Sequence, residues 1–438
     1  MKKLHSLMVL PALALSISTS ALAQQPAPLT LARYLDAVDA NSLELAIQRE
    51  NVTSAEAGVS IAGVRPDPVL TVAAGPRELG REVRPKPRTG SSIELEWALE
   101  TGGKRDQRIK AANSAVALSL ASGNAARAAL YATAALAFVE ACRTTEMVTR
   151  QEESLRFLSE VVRINTVRRQ AGDIGDIELL QSRNERDRFR TDVLKARAEA
   201  VAARLALAVP LGRSTGETFG AQPMVCDFNI DPALVDEEKM VSEALLERED
   251  IRMARAALDT AQANARLARA NRYVDPTISV SYGYVPRGRA SVNGEGAPAD
   301  GSPRSNTLGV SIAVPLPFSR LQRGELIQAE SAVTQAMLGL RQAELTASTG
   351  VRQIIAGYNA ARDSVQNYRD ATLGDVQAVL AGMQLSYSKG AATLLELLTA
   401  QRAANDEWLA YLQAKADLAN ASVQLQLSAG KRPQLQAR

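Results

Sequence analysis

The chain has 438 residues, of which 46% are hydrophobic and only 4% aromatic, and its 51 Lys and Arg against 48 Asp and Glu give a formal charge of +3. Removing Lys2 and Lys3 with an N-terminal leader leaves +1, so nucleic-acid binding gains no support from charge. The one histidine, His5, lies in that leader, which removes histidine catalysis and histidine metal ligation from the mature chain, and two cysteines, Cys142 and Cys226, exclude a disulfide framework while leaving one bridge open.

Residues 1–23 read as a signal peptide. Lys2 and Lys3 precede a short apolar stretch, Leu7 to Ile17, and Ala21-Leu22-Ala23 places small residues at a cleavage site ahead of Gln24. The stretch is shorter than the roughly 20 residues a membrane-spanning helix needs. No cysteine follows the cut, so a lipid anchor there is not indicated. No later segment reads as a membrane-spanning helix, which leaves a closed β-barrel as the spanning structure to search for.

A first unit, residues 24–209, opens with a helix from about Leu31 to Gly63 that ends at Pro66-Asp67-Pro68. Strands follow at about 67–76 and 91–99, joined by a loop bearing Arg77, Arg81, Arg84, Lys86 and Arg88, too polar to pack a core. After Thr101-Gly102-Gly103, proline-free helical sequence runs from about 104 to 169, a rod of about 100 Å at 1.5 Å per residue. A return helix, about Asp176 to Val209, is half as long. Residues 210–236 form a linker without clear helical period. A second unit, 237–427, repeats the plan with strands at about 275–285 and 306–316, a rod at about 322–388 and a return helix from Thr393. Its strand-connecting loop, Arg287 to Arg304, is rich in Gly, Pro and Ala. Residues 428–438 form a tail.

The two units are copies. Asp67-Pro68-Val69-Leu70-Thr71-Val72 is matched by Asp275-Pro276-Thr277-Ile278-Ser279-Val280, and Ser114-Ala115-Val116 by Ser331-Ala332-Val333. Gly172 before Ile177-Glu178-Leu179-Leu180 is matched by Gly390 before Leu395-Glu396-Leu397-Leu398. A spacing of about two hundred residues is far beyond a solenoid period and reads as an internal duplication. Entering and return helices laid end to end would cover a rod, with Leu155, Leu158 and Val162 supplying an apolar stripe.

The strands alternate. Ile93, Leu95, Trp97 and Leu99 face one way, Glu94 and Glu96 the other. Thr277 to Tyr284 and Thr307 to Val314 repeat the pattern, with Tyr282 and Tyr284 late on the apolar face. This suits a lipid-facing, water-filled barrel, although a half-buried soluble sheet has the same period. Four strands cannot close a pore, so a barrel requires several chains.

With these features together, the chain resembles the outer-membrane efflux protein family, of which TolC is a member, over essentially the whole mature chain. Leu99-Glu100-Thr101-Gly102-Gly103-Lys104-Arg105 resembles the E-x-G-G-K-R stretch of the CzcC-like heavy-metal branch, and Val314-Pro315-Leu316-Pro317-Phe318 with Arg320 and Gly324-Glu325 its second-copy counterpart. The resemblance implies a mainly α fold with a small β part. In it, a homotrimer pools twelve strands into one transmembrane barrel, and long α-hairpins continue as a periplasmic tunnel ringed by residues 212–236 and 428–438. It implies no catalysis and no cofactor. The implied partners are outer-membrane lipids, a periplasmic adaptor and an inner-membrane RND pump, and the implied task is export, of heavy-metal cations in that branch. Drug efflux and protein secretion stay open, as does a soluble periplasmic coiled-coil scaffold.

The resemblance also places a gate at the two turns. Tyr387 stands at the family's tyrosine position, and Glu396 and Thr399 at its paired acidic positions, Thr399 departing from the acid. Glu178 is the first-copy counterpart of Glu396, with Asp173 and Asp176 in its turn. Thr393-Leu394-Leu395-Glu396 is equally a helix capping box. Gly172 and Gly390 are expected in left-handed turn conformations.

Overall fold

The computed structural model describes residues 28–75, 89–220, 222–226, 235–288, 291–292, 298–299, 301, 303–316 and 322–435. The signal peptide, the basic loop residues Arg77 to Arg88, and Phe318 and Arg320 lie outside them.

Each half of the chain forms the same series of elements. The first comprises α1 (Leu31–Asn41), α2 (Leu43–Gly63), β1 (Val69–Gly75), β2 (Gly90–Ala98), the rod α3 (Lys104–Ala171) and α4 (Asp176–Ala206). Two short helices follow, α5 (Ala208–Leu211) and α6 (Thr215–Phe219). The second comprises α7 (Glu237–Glu247), α8 (Glu249–Ala270), β3 (Thr277–Val285), a small hairpin β4 (Ser291–Val292) and β5 (Pro298–Ala299), β6 (Ser305–Ala313), α9 (Arg323–Asn367), α10 (Leu373–Ser388) and α11 (Leu394–Ser428).

Two expectations need correcting. The entering helix expected as one piece from Leu31 to Gly63 breaks at Ser42, whose ψ of 126° leaves helical space, and the second copy breaks likewise at Arg248, ψ 131°. The break lets α1 turn against the middle of α3: Tyr34, Leu35 and Val38 join Phe138, Leu207, Leu211 and Phe219 in one buried cluster. The second rod is also not uniformly α-helical. A π-turn, Tyr368–Thr372, joins α9 to α10. The chain is one residue longer from Ser331 to Gly390 than from Ser114 to Gly172, and the wider π-turn takes up that residue without rotating the faces on either side.

One window of α3 reaches the hydropathy of a membrane span, which the sequence reading did not anticipate; 44% of it is buried within the chain, so helix-on-helix packing accounts for its apolarity. α3 packs between α2 and α8 on the strand side and against α4 and α11 toward the turns. Arg105 and Arg108 donate to the carbonyls of Gly63 and Ala62 at 2.8 and 2.9 Å, covering acceptors that the end of α2 leaves open.

The four long strands make one antiparallel sheet in the order β1-β2-β3-β6, leaving β1 and β6 as unpaired edges. The register aligns Leu70, Leu95, Val280 and Val310 in one row and Val72, Ile93, Tyr282 and Leu308 in the next. All eight are 44–76% exposed. On the other face Glu96, Ser279 and Ser311 align, with the two serine hydroxyls 2.9 Å apart. Pro315 follows β6, where ladder bonding stops, and Pro317 lies outside the described residues.

Around the middle of α3, residues 207–226 and the tail 429–435 join α1. Leu29 bridges Met224, Leu435 packs on the same cluster, and Cys142 and Cys226 form a disulfide with Cα atoms 5.2 Å apart. The bridge left open by the sequence is therefore made, across 84 residues.

Candidate gate at the helical turns

Both turns are built by glycine. Gly172 ends α3 at φ 86° and Gly390 follows α10 at φ 75°, the left-handed conformations expected of them. Asp173 N donates to Arg168 O at 2.9 Å and Ala391 N to Ser386 O at 2.8 Å, closing each rod in the same manner.

The turns differ in their side chains. At the second, Thr393 and Glu396 form a reciprocal capping box, with Thr393 N donating to Glu396 Oε2 at 2.7 Å and Glu396 N to Thr393 Oγ1 at 3.3 Å. The backbone amide of Thr393, and then its hydroxyl, hold the Glu396 carboxyl below its ordinary range. Glu396 is exposed, as is Thr399, whose hydroxyl donates to Leu395 O in its own helix at 2.8 Å. At the first turn Asp176 is exposed and takes a forked pair from Arg169, with 2.9 Å between Nη2 and Oδ2, which lowers its pKa. Asp173 is exposed.

Of the candidate gate residues, Tyr387 and Glu178 meet side chain to side chain across the two hairpins. Tyr387 is buried among Leu158, Val161, Phe189, Leu394, Leu397 and Leu398. Its hydroxyl lies 2.7 Å from Asn165 Oδ1 and 3.0 Å from Glu178 Oε1, and the Arg168 guanidinium sits 5.3 Å from its ring centroid. This ties the second rod to both helices of the first hairpin. One hydroxyl proton faces two acceptors, while Asn165 Nδ2 is buried without a partner among the described residues. Turning that amide over lets Nδ2 donate to the hydroxyl and the hydroxyl to Glu178, so each proton has one acceptor.

The sequence reading missed the rest of the contact between hairpins. Arg402 grips Glu185, with Nε 2.6 Å from Oε1, and the Glu185 side chain is only 7% exposed. Ser154 Oγ donates to Asn405 Oδ1 at 3.3 Å and accepts from Gln401 Nε2 at 3.2 Å, all three buried. A signal was present. Ser154, Leu158, Val161 and Asn165 follow four-three-four spacing along a buried stripe, so two polar residues occupy core positions of a helical heptad pattern.

Long paired helices carry, at one end, an antiparallel sheet with one apolar face and one face of hydroxyls and carboxylates, the fold of outer-membrane channels. Residues 240–431 match the family described as outer membrane efflux protein. The chain is 24% identical over 388 residues to the cobalt-zinc-cadmium resistance protein CzcC of Cupriavidus metallidurans, covering 88% of this chain and 86% of that protein. Among solved structures it is similar to the outer-membrane channel CmeC of Campylobacter jejuni, with a TM-score of 0.72, 17% identity and coverage of 91% and 85%. It is also similar to the MtrE outer-membrane channel of Neisseria gonorrhoeae, with a TM-score of 0.70, 21% identity and coverage of 92% and 89%.

Proposed function

We propose that this chain is the outer-membrane duct of a tripartite RND-type efflux system that exports heavy-metal cations. Three copies pool their strands into a twelve-stranded barrel, and their rods form the periplasmic tunnel, with residues 210–236 and 428–438 as a belt around it. An adaptor and an inner-membrane pump dock on its periplasmic end.

The observation that carries this reading is the division of the sheet into two faces. Ile93, Leu95 and Trp97 are half exposed to surroundings that must be apolar, while Glu94 and Glu96, the only charged side chains on the described strands, share the opposite face with Ser279, Ser281 and Ser311. A strand face carrying carboxylates and hydroxyls, with no lysine or arginine on the described strands, attracts cations and disfavours anions. Likeness to a cobalt-zinc-cadmium resistance protein over most of the chain supports the metal cargo. Exposed Leu180, Leu194, Val201 and Leu205 lie along one face of α4, an edge helix, and support burial against a further copy.

The Tyr387 contacts hold the second hairpin against the first, and this is the closed position of the gate. Glu396 rings the mouth in the assembled channel while also capping α11.

A strain lacking this chain, tested for survival against zinc, cobalt, cadmium, bile salts and antibiotics, decides the cargo. Sensitivity confined to the metals, reversed by the full-length gene, is expected. Sensitivity to bile salts and antibiotics with metals tolerated would sink the metal reading and leave the duct.

A further inference from the structure

The second rod changes character at its π-turn. Toward the strands, Val351, Ile355, Tyr358 and Val365 of α9 are buried in one cluster with Leu418 and Leu425 of α11 and Ala244 of α7. Tyr368, the first residue of the π-turn, packs against that cluster. Its ring centroid lies 6.1 Å from that of Tyr411, Tyr411 lies 5.7 Å from Trp408, and the Arg150 guanidinium of α3 sits 4.9 Å from the Trp408 ring centroid. The near end of the turn is tied in this way through α11 to the first rod. Beyond the turn, α10 buries Tyr387 alone.

The first rod behaves otherwise. Equating Gly172 with Gly390 sets Leu158, Val161, Val162 and Asn165 of α3 against Val376, Val379, Leu380 and Met383 of α10. The four on α3 are buried, whereas their counterparts are partly exposed and Val379 is 55% exposed. α3 passes this level as unbroken α-helix, and α4 and α11 are unbroken as well. A one-residue excess could be taken up anywhere between Ser331 and Gly390. It is taken up where the firmly packed segment of the rod meets the loosely packed one.

We infer that the π-turn Tyr368–Thr372 is the hinge of the gate: α10 swings about it as a rigid lever, with Tyr368 as the fixed end and the Tyr387 hydroxyl as the latch. The inference rests on the gate reading of the Tyr387 contacts and adds where the moving part bends. A π-turn widens the helix and interrupts its regular ladder, here with Leu373 N donating to Tyr368 O, so bending costs less there than in the α-helix on either side. From Thr372 to Tyr387 the lever is about 22 Å long at 1.5 Å per residue. A bend of about 15° carries its far end about 6 Å, well beyond the reach of the 2.7 and 3.0 Å hydrogen bonds to Asn165 and Glu178. The four helices at this end then divide into three fixed ones and one that moves.

The test removes the hinge while keeping the faces on either side. Deleting Ala371, an exposed residue of the turn, makes the spacing from Ser331 to Gly390 equal to that from Ser114 to Gly172 and lets the rod close as continuous α-helix. The full-length channel is recorded in planar bilayers unaltered, with Ala371 deleted, with Tyr387→Phe, and with both changes. Tyr387→Phe is expected to raise the open fraction, and deleting Ala371 in that background to lower it again by at least about tenfold. An open fraction that the deletion leaves unchanged overturns the hinge and spares the latch. An open fraction that Tyr387→Phe itself leaves unchanged overturns the latch, and the hinge with it. Hydrogen exchange needs no deletion and decides the matter if the shortened chain does not assemble. Amides of residues 372–376 should exchange at least about tenfold faster in Tyr387→Phe than in the unaltered chain, while residues 354–358 of α9 and 154–158 of α3 keep their rates. Equal acceleration along α9 and α10, or none at 372–376, overturns the hinge.

Discussion

Tyr387 and Asn165, 222 positions apart in sequence, bring a hydroxyl and a side-chain amide to 2.7 Å inside the contact between the two hairpins. Tyr387→Phe keeps the ring among Leu158, Leu394 and Leu397 but leaves the Asn165 amide without its polar partner, at a cost of about 1–3 kcal/mol. The expected outcome is a channel open more often in planar bilayers, with barrel assembly unchanged. A closed-state conductance equal to that of the unaltered protein would refute a gating role.

The same contact sets a pH dependence. Burial, and then the hydrogen bond to Glu178, push the Tyr387 hydroxyl from its ordinary 10.0 up to about 12. The folded state therefore holds that proton more tightly than the unfolded one. The stability it contributes is full below pH 10, and is lost as pH rises through about 12. Closed-state leakage should thus be flat across neutral pH and rise only in strong alkali, whereas in Tyr387→Phe this alkaline rise should vanish.

Arg402 and Glu185 form the second tie. Arg402→Ala strands a carboxylate that is 7% exposed; because the guanidinium is 47% exposed, solvent screens part of the loss, and about 2 kcal/mol is expected. Thermal unfolding in detergent checks this, and Glu185→Gln with Arg402→Gln should recover much of it. Conductance should respond in the same direction as for Tyr387→Phe.

Glu396 serves the helix and, in the proposed assembly, the pore, and two substitutions separate these. Glu396→Gln retains a side-chain acceptor for the Thr393 amide and should leave stability unchanged while lowering cation preference in reversal-potential measurements. Glu396→Ala should lose both. Unchanged ion preference in Glu396→Gln would leave the residue as a cap alone.

The Cys142–Cys226 bridge closes a separation of 84 residues, and Cys142→Ser with Cys226→Ser should cost about 2–4 kcal/mol. The loss should appear as a lower melting temperature and as faster proteolysis of the segment around Met224, with the rods protected. An unchanged cleavage pattern would show that the packing of Leu211 and Phe219 holds that segment unaided.

Sequence by itself determined whatever is written in periodicity. The alternation of Ile93, Leu95 and Trp97 with Glu94 and Glu96, the proline-free run after Gly103, the capping box at Thr393 and the two turn glycines are local patterns, because a strand repeats every two residues, a helix about every 3.6, and a left-handed turn selects glycine. The duplication was legible for the same reason. Tertiary structure decided what depends on which helices lie side by side. Asn165, Ser154 and Gln401 look like ordinary polar positions until a second helix covers them, and Cys142 meets Cys226 only because the chain crosses the middle of α3. The breaks at Ser42 and Arg248 and the π-turn at Tyr368 belong to the same class, since the packing that α1 gains and the one-residue excess of the second rod are settled between segments distant in sequence.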